Sequence, residues 1–208
     1  MENVLETYKL PYNEKFPVVC MDESPKQLVK ETRKSINMEP GREKRIDYEY
    51  ERCGMCNIFI ANEPLQGKRF VEITQKKTKK EWAFFIKKIL DEYYKDAEKI
   101  ILVMDNLNTH NPGSLYEVFK PEEARRILNR FKFVFTPKHG SWLNMAEIEL
   151  NVLHGQCLSR RIGNVETVRR EVAAWQRERN NTVAKINWQF KTEDARIKLK
   201  RLYPSIEM

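Results

Sequence analysis

Apolar and polar residues alternate in blocks along the chain, and the blocks predict a mixed set of strands and helices. Pro17-Val-Val-Cys-Met-Asp22 is a short apolar run ending on an acid, the pattern of a buried strand. Some thirty charged residues follow, punctuated by Pro25, Pro40 and Gly41, and predict a long excursion outside the regular elements. Residues 55–61 and 69–74 form two further strand patterns, with a hairpin at Pro64 to Gly67. Thr78 followed by Glu81 has the spacing of a helix start, and Trp82, Phe85, Ile86, Ile89 and Tyr93 then recur on one helical face. Lys99-Ile-Ile-Leu-Val-Met-Asp105 is apolar throughout and again ends on an acid, as a strand buried on both faces does. Pro121 opens a helix, and Phe131-Lys-Phe-Val-Phe-Thr136 is a fifth strand.

Beyond Ser141 the period becomes helical. Leu143, Ala146, Leu150, Leu153 and Cys157 make one stripe, and a helix is expected from Val165 to Arg179 around Val168, Val172 and Trp175. Lys185 to Phe190 predicts a short extended piece, and Thr192 begins a last basic helix. The order β, β, β, α, β, α, β, α predicts an α/β protein: a mixed five-stranded sheet flanked by helices, with a helical C-terminal part. That is the order of a ribonuclease-H-like fold.

Length and charge narrow the class. At 208 residues the chain has ample material for one apolar core without disulfide or metal staples. Its apolar runs are too short to cross a bilayer and its first residues lack a signal-peptide pattern, which points away from membranes and secretion. Four scattered cysteines fit a reducing cytoplasm. Cys53-Gly-Met-Cys56 has zinc-like spacing but no second pair of ligands to complete it. The formal charge is +8, and residues 151–208 hold twelve Lys+Arg against six Asp+Glu, a surface that attracts an acidic partner such as nucleic acid.

The candidate chemistry lies at strand ends. Asp22 and Asp105 each follow an apolar strand, and in sheets of this kind sites form beyond the carboxyl ends of strands. A single such aspartate is commonly a turn former; two together suggest a pair that binds a cation. Phosphodiester chemistry with two divalent metals calls for a third acid, and Glu147 and Glu149 on the next helix are the candidates. They stand about 200° apart around a helix, so one site would use only one of them. Glu147 shares its flank with Asn144, Asn151 and His154, a polar set that suits a site, whereas Glu149 has the character of a solvated surface acid.

Three blocks now carry a resemblance. Val18-Val-Cys-Met-Asp-Glu23, Leu102-Val-Met-Asp-Asn-Leu-Asn-Thr-His110, and Phe135-Thr-Pro-Lys-His-Gly-Ser-Trp-Leu-Asn-Met-Ala-Glu-Ile-Glu149 together resemble bacterial transposases of the insertion sequence 630 family. That family is related to the mariner-like transposases with a DDE triad. The resemblance runs from about Pro17 to Pro204, a single catalytic domain after a lead-in over residues 1–16. Position by position it implies Asp22, Asp105 and Glu147 as the catalytic, metal-binding acids. Leu143-Asn-Met-Ala-Glu147 occupies the register where mariner-like relatives have Leu-Asn-Pro-Ile-Glu. It also implies Mg²⁺ or Mn²⁺, two ions with substrate bound. Transposon-end and target DNA would be the partners, bridged by a homodimer in a bacterial cytoplasm.

Two departures accompany it. The 42-residue step from Asp105 to Glu147 is longer than in mariner-like relatives, with the surplus expected in Ser114 to Arg130. Full-length members carry helix-turn-helix DNA-binding regions ahead of the catalytic domain, and here the lead-in is expected to contain none. A non-catalytic regulatory remnant, or a cellular nuclease of the same fold, are the competing readings.

Secondary roles follow. Asn106, Asn108 and Asn144 are candidate donors to the acids, with a turn role as the alternative for the first two. His110 would orient a ligand, touch phosphate or form a turn. Lys138, His139, Ser141 and Trp142, on the approach to the Glu147 helix, suit phosphate contact with base stacking, or else a capped helix start with a packed tryptophan. Arg160, Arg161, Arg169 and Arg170 are candidate DNA-backbone contacts.

Overall fold

The computed structural model describes residues 1–33, 35–43, 45, 47–107 and 111–203, apart from the side chain of Leu202. Five strands form one sheet in the order β3-β2-β1-β4-β5. They are β1 (Val18–Glu31), β2 (Tyr50–Glu63), β3 (Lys68–Thr74), β4 (Ile100–Met104) and β5 (Phe131–Phe135). The first three are antiparallel neighbours, whereas β4 and β5 run parallel to β1. The helices are α1 (Glu2–Tyr8), α2 (Lys79–Lys88), α3 (Ser114–Val118), α4 (Pro121–Asn129), α5 (Met145–Leu153), α6 (Val165–Asn181) and α7 (Thr192–Lys198).

Side-chain alternation divides the sheet into two buried faces. Cys20, Ile58, Ile60, Ile101 and Val103 face one core with α1, α5, α6 and α7. Val19, Met21, Phe59, Leu102 and Met104 face the other with Trp82 and Ile86 of α2 and Ile127 of α4. The fold is thus the ribonuclease-H-like mixed sheet that the order of elements predicts.

The structure refines the sequence expectation at several segments. The charged stretch after Asp22 leaves the sheet later than expected: β1 continues to Glu31 and pairs with β2 from Tyr50, with a register irregularity between Gln27 and Val29. This outer ribbon buries little, so it leaves no hydrophobic period to read. Pro25 is tolerated because β1 pairs with β4 only over Val18–Cys20, which leaves its other edge open at the proline. Further along, that edge is met by the chain at Ile162, whose carbonyl accepts the Val29 N–H at 2.9 Å.

The lead-in is part of the core. Val4 and Leu5 of α1 are buried, and α1 packs on α7. Residues 185–190 form no regular strand and instead line the hairpin, with Ile186 N–H donating to the Pro64 carbonyl at 3.1 Å. The surplus after Asp105 holds the two short helices α3 and α4. Tyr93, expected in the core, is partly exposed and stacks on Phe70 with ring centroids 3.8 Å apart.

Candidate active site

Two parallel strands bring the first two acids side by side. Cys20 of β1 pairs with Val103 of β4, and Asp22 and Asp105 each lie two residues further along. Neighbouring strands stand about 4.8 Å apart, so the two aspartates lie side by side where β4 ends and β1 runs on. The alternation that turns Cys20 and Val103 toward α5 turns Asp22 the same way. Asp22 is only 8% exposed, and its Oδ1 accepts the Glu23 N–H at 2.7 Å. Asp105 is half-buried.

The third acid arrives on α5, whose start is fixed by Asn144. This fully buried side chain accepts the Ala146 N–H at 3.1 Å as a helix cap and donates Nδ2 to the Met21 carbonyl at 2.7 Å. The beginning of the helix is thereby tied to the residue just before Asp22. Tyr8 adds a second tie, donating its hydroxyl to the Leu143 carbonyl at 2.8 Å. Glu147 sits half-buried in the first turn, where the helix dipole favours an anion.

Asp22, Glu23 and Ser24 of β1 face Glu147, Leu150, Asn151 and His154 across an open cleft of about 290 Å³. Glu147, Asn151 and His154 recur at helical spacing on one flank. Burial beside the positive charge of Lys26 holds the His154 imidazole below its ordinary value, so it is neutral at neutral pH. Asp105 does not line this cleft. Among the described residues, no group of three or more His, Cys, Asp and Glu side chains is placed to hold a metal ion.

Glu149 is not the surface acid that its sequence context suggests. It is 0% exposed and clamped by two arginines. Arg69 meets it through Nε at 2.6 Å and Nη2 at 2.8 Å, and Arg179 through Nε at 3.2 Å and Nη2 at 3.0 Å. Burial pushes the Glu149 carboxyl up, but the two arginines outweigh it and hold the group below the ordinary carboxylate value. Both oxygens are committed to these partners, on the side of α5 away from Glu147. A signal for this pair was present in β3: Arg69 alternates with Val71 and Ile73 toward the core, and a cation in such a position demands a buried anion.

The family model for the DDE superfamily endonuclease matches residues 17–169, a span that includes Asp22, Asp105 and α5. The chain belongs to this family. Solved structures similar to the DDE chain include the Mos1 mariner paired end complex with Mn, at TM-score 0.60 and 14% identity, covering 88% of this chain and 56% of that one. The Mos1 strand transfer complex aligns at TM-score 0.56 and 14% identity over 91% and 62%. The catalytic domain of Mos1 mariner transposase aligns at TM-score 0.55 and 14% identity over 87% and 86%. The DDE chain therefore spans less than two thirds of the Mos1 chains in those complexes and most of the isolated catalytic domain. No curated protein matches its sequence.

The remaining candidates of the DDE chain are dispersed. Asn106 is exposed, and Asn108 and His110 lie outside the described residues. Lys138, His139, Ser141 and Trp142 are exposed on the approach to α5, where Trp142 packs edge-on against Phe190 at 5.5 Å. The basic surface is partly spoken for: Arg160 pairs with Glu171, and Arg169 with Glu166 at 2.6 Å. Arg161 donates to the Glu49 carbonyl at 3.0 Å and lies over the Tyr50 ring. Arg170 is exposed. Cys53 and Cys56 are free thiols on β2, Cys56 buried in the core. No helix among the described residues is long and apolar enough to cross a membrane.

Proposed function

We propose that this chain is the catalytic core of an insertion sequence 630-type DNA transposase, which cuts phosphodiester bonds at element ends and joins the freed 3′ ends to target DNA. Supporting this reading above all is one juxtaposition: Asp22 and Glu147 facing each other across an open cleft, with Asp105 beside Asp22 on the next parallel strand.

The donor set fits a hard divalent cation. All three groups are carboxylates, and Mg²⁺ or Mn²⁺ is ordinarily held by one or two carboxylates completed by waters and substrate phosphates. An open cleft with few protein ligands suits that better than a closed cage. Bound there, such ions supply Lewis-acid stabilisation of phosphate charge and lower the pKa of the attacking hydroxyl.

The protein's own contributions follow from position. Asp22, Asp105 and Glu147 hold negative charge at the sheet edge. The Asn144 cap keeps α5 against β1, and neutral His154 and Asn151 offer polar contacts along the same wall. The exposed Lys138–Trp142 approach and Arg170 suit the DNA backbone. DNA is the partner in this reading, with two copies of the chain bridging two ends in a bacterial cell.

The test is cleavage of labelled duplexes, with and without the element's end, in Mg²⁺. Asp105→Asn and Glu147→Gln should each lower nicking at least about 100-fold while DNA binding and thermal unfolding stay as in the parent. Retained nicking in either variant overturns the site. End-independent nicking by the parent would indicate a nuclease, and binding without nicking a regulatory remnant.

A further inference from the structure

We infer that Glu149, gripped by Arg69 and Arg179, is the positioning residue that sets where Glu147 stands over the cleft; the inference rests on the site proposed above. The two glutamates are two residues apart on one helix, about 200° around its axis and about 3 Å along it. Any roll or slide of α5 that carries Glu149 carries Glu147 equally.

Glu149 has almost no freedom to move. Four charge-assisted hydrogen bonds from two guanidinium groups converge on its two oxygens. Arg69 is itself pinned: Nη1 donates to the Gly67 carbonyl at 2.6 Å and Nη2 also donates to the Ala184 carbonyl. Its main chain is bracketed by Asn180 of α6, which accepts from the Arg69 N–H at 2.8 Å and donates to the Arg69 carbonyl at 2.9 Å. The clamp therefore joins three elements, β3, α5 and α6, at one point.

Stability alone does not explain such a cluster. A buried ion pair is often matched or bettered by apolar residues of similar volume, because the desolvation of both charges offsets their attraction. What a bidentate fork adds is direction, since two parallel N–H···O bonds fix an angle as well as a distance. Along α5 the fork stands two residues after Glu147, and the Asn144 tie to β1 stands three residues before it. Glu147 is held between two anchors, one toward Asp22 and one toward the far edge of the sheet.

The decisive protein carries Arg69→Met, Glu149→Leu and Arg179→Met in the full chain, an apolar replacement of the whole cluster. It should unfold within a few degrees of the parent and bind plasmid DNA equally well. Mg²⁺-dependent nicking should fall about 100-fold in kcat with KM unchanged, the scale expected of a misplaced group. Amides of residues 145–150 should exchange with deuterium faster. Parental kcat and parental exchange in this folded protein would overturn the inference. Should that protein fail to fold, Arg69→Lys with Arg179→Lys answers the same question, because it retains both charges and loses both forks. It should show the same fall in kcat, and full activity there refutes the positioning role. Glu147→Gln, assayed alongside, separates the two ideas: nicking by that protein removes the site, whereas its inactivity beside fully active clamp variants removes only the clamp.

Discussion

Gly67 closes the β2–β3 hairpin in the left-handed region, at φ +64, with its N–H donating to the Glu63 carbonyl at 2.9 Å. A Cβ there would stand 2.7 Å from the Val183 carbonyl carbon, which is backbone and cannot swing aside. Gly67→Ala should therefore cost about 2–5 kcal/mol, the sum of the left-handed backbone penalty and a steric displacement. Urea unfolding measures it, and a loss under about 1 kcal/mol would show that the 183–184 segment yields freely. The same carbonyl-lined corner receives the Arg69 guanidinium, so one small residue and one large cation share it. Residues of this sort separate what a sequence discloses from what it hides. The side-by-side placement of Asp22 and Asp105 was legible because each ends an apolar run, although β1 continues past Asp22. The burial of Glu149 was not, because its partners lie 80 and 30 residues away and nothing beside it in the chain announces them.

Among the elements, α5 takes both its start cap and its tie to Met21 of β1 from a single side chain. Asn144→Ala removes the cap from Ala146 and leaves the buried Met21 carbonyl without its donor. A loss of about 2–4 kcal/mol is expected from the two effects together. Asn144→Ser retains a cap acceptor without adding charge and loses the reach to Met21, so its unfolding midpoint should fall between parent and alanine; equal midpoints for both variants would mean the Met21 bond carries the whole effect. Element prediction succeeded where periodicity is local: β4, β5, α4 and α6 lie close to where their apolar patterns place them. It failed in the outer half of the β1–β2 ribbon, where polar residues pair through main-chain bonds that leave no hydrophobic signature. Residues 185–190, expected as a short extended piece, pack Ile186, Trp188 and Phe190 against the core without strand partners.

Across the whole molecule, the sheet keeps the candidate acids on one side, with α1, α5, α6 and α7, while the opposite core is built without them. The positive charge after residue 150 is smaller in effect than its count suggests, because Arg179 is committed to Glu149 and several others have acidic neighbours. Each phosphate contact contributes about 0.9 to the slope of log K against log salt on duplex DNA. Arg170→Ala should lower that slope by about one contact, whereas Arg179→Ala should leave it unchanged and lower the unfolding midpoint instead. A fall in slope for Arg179→Ala would mean that the clamp opens to DNA. The helices at the two ends of the described chain meet as well: Arg196 pairs with Glu2 at 2.8 Å, Thr192 donates to Glu6, and Lys9 reaches Glu193 at 3.3 Å. For a chain emerging from the ribosome this imposes an order of events. Val4 and Leu5 are made before α7, which shares their core and lies almost two hundred residues further along. Burial of these two side chains is therefore a contact of very long sequence separation, the kind that slows folding because loop entropy is spent before the contact forms.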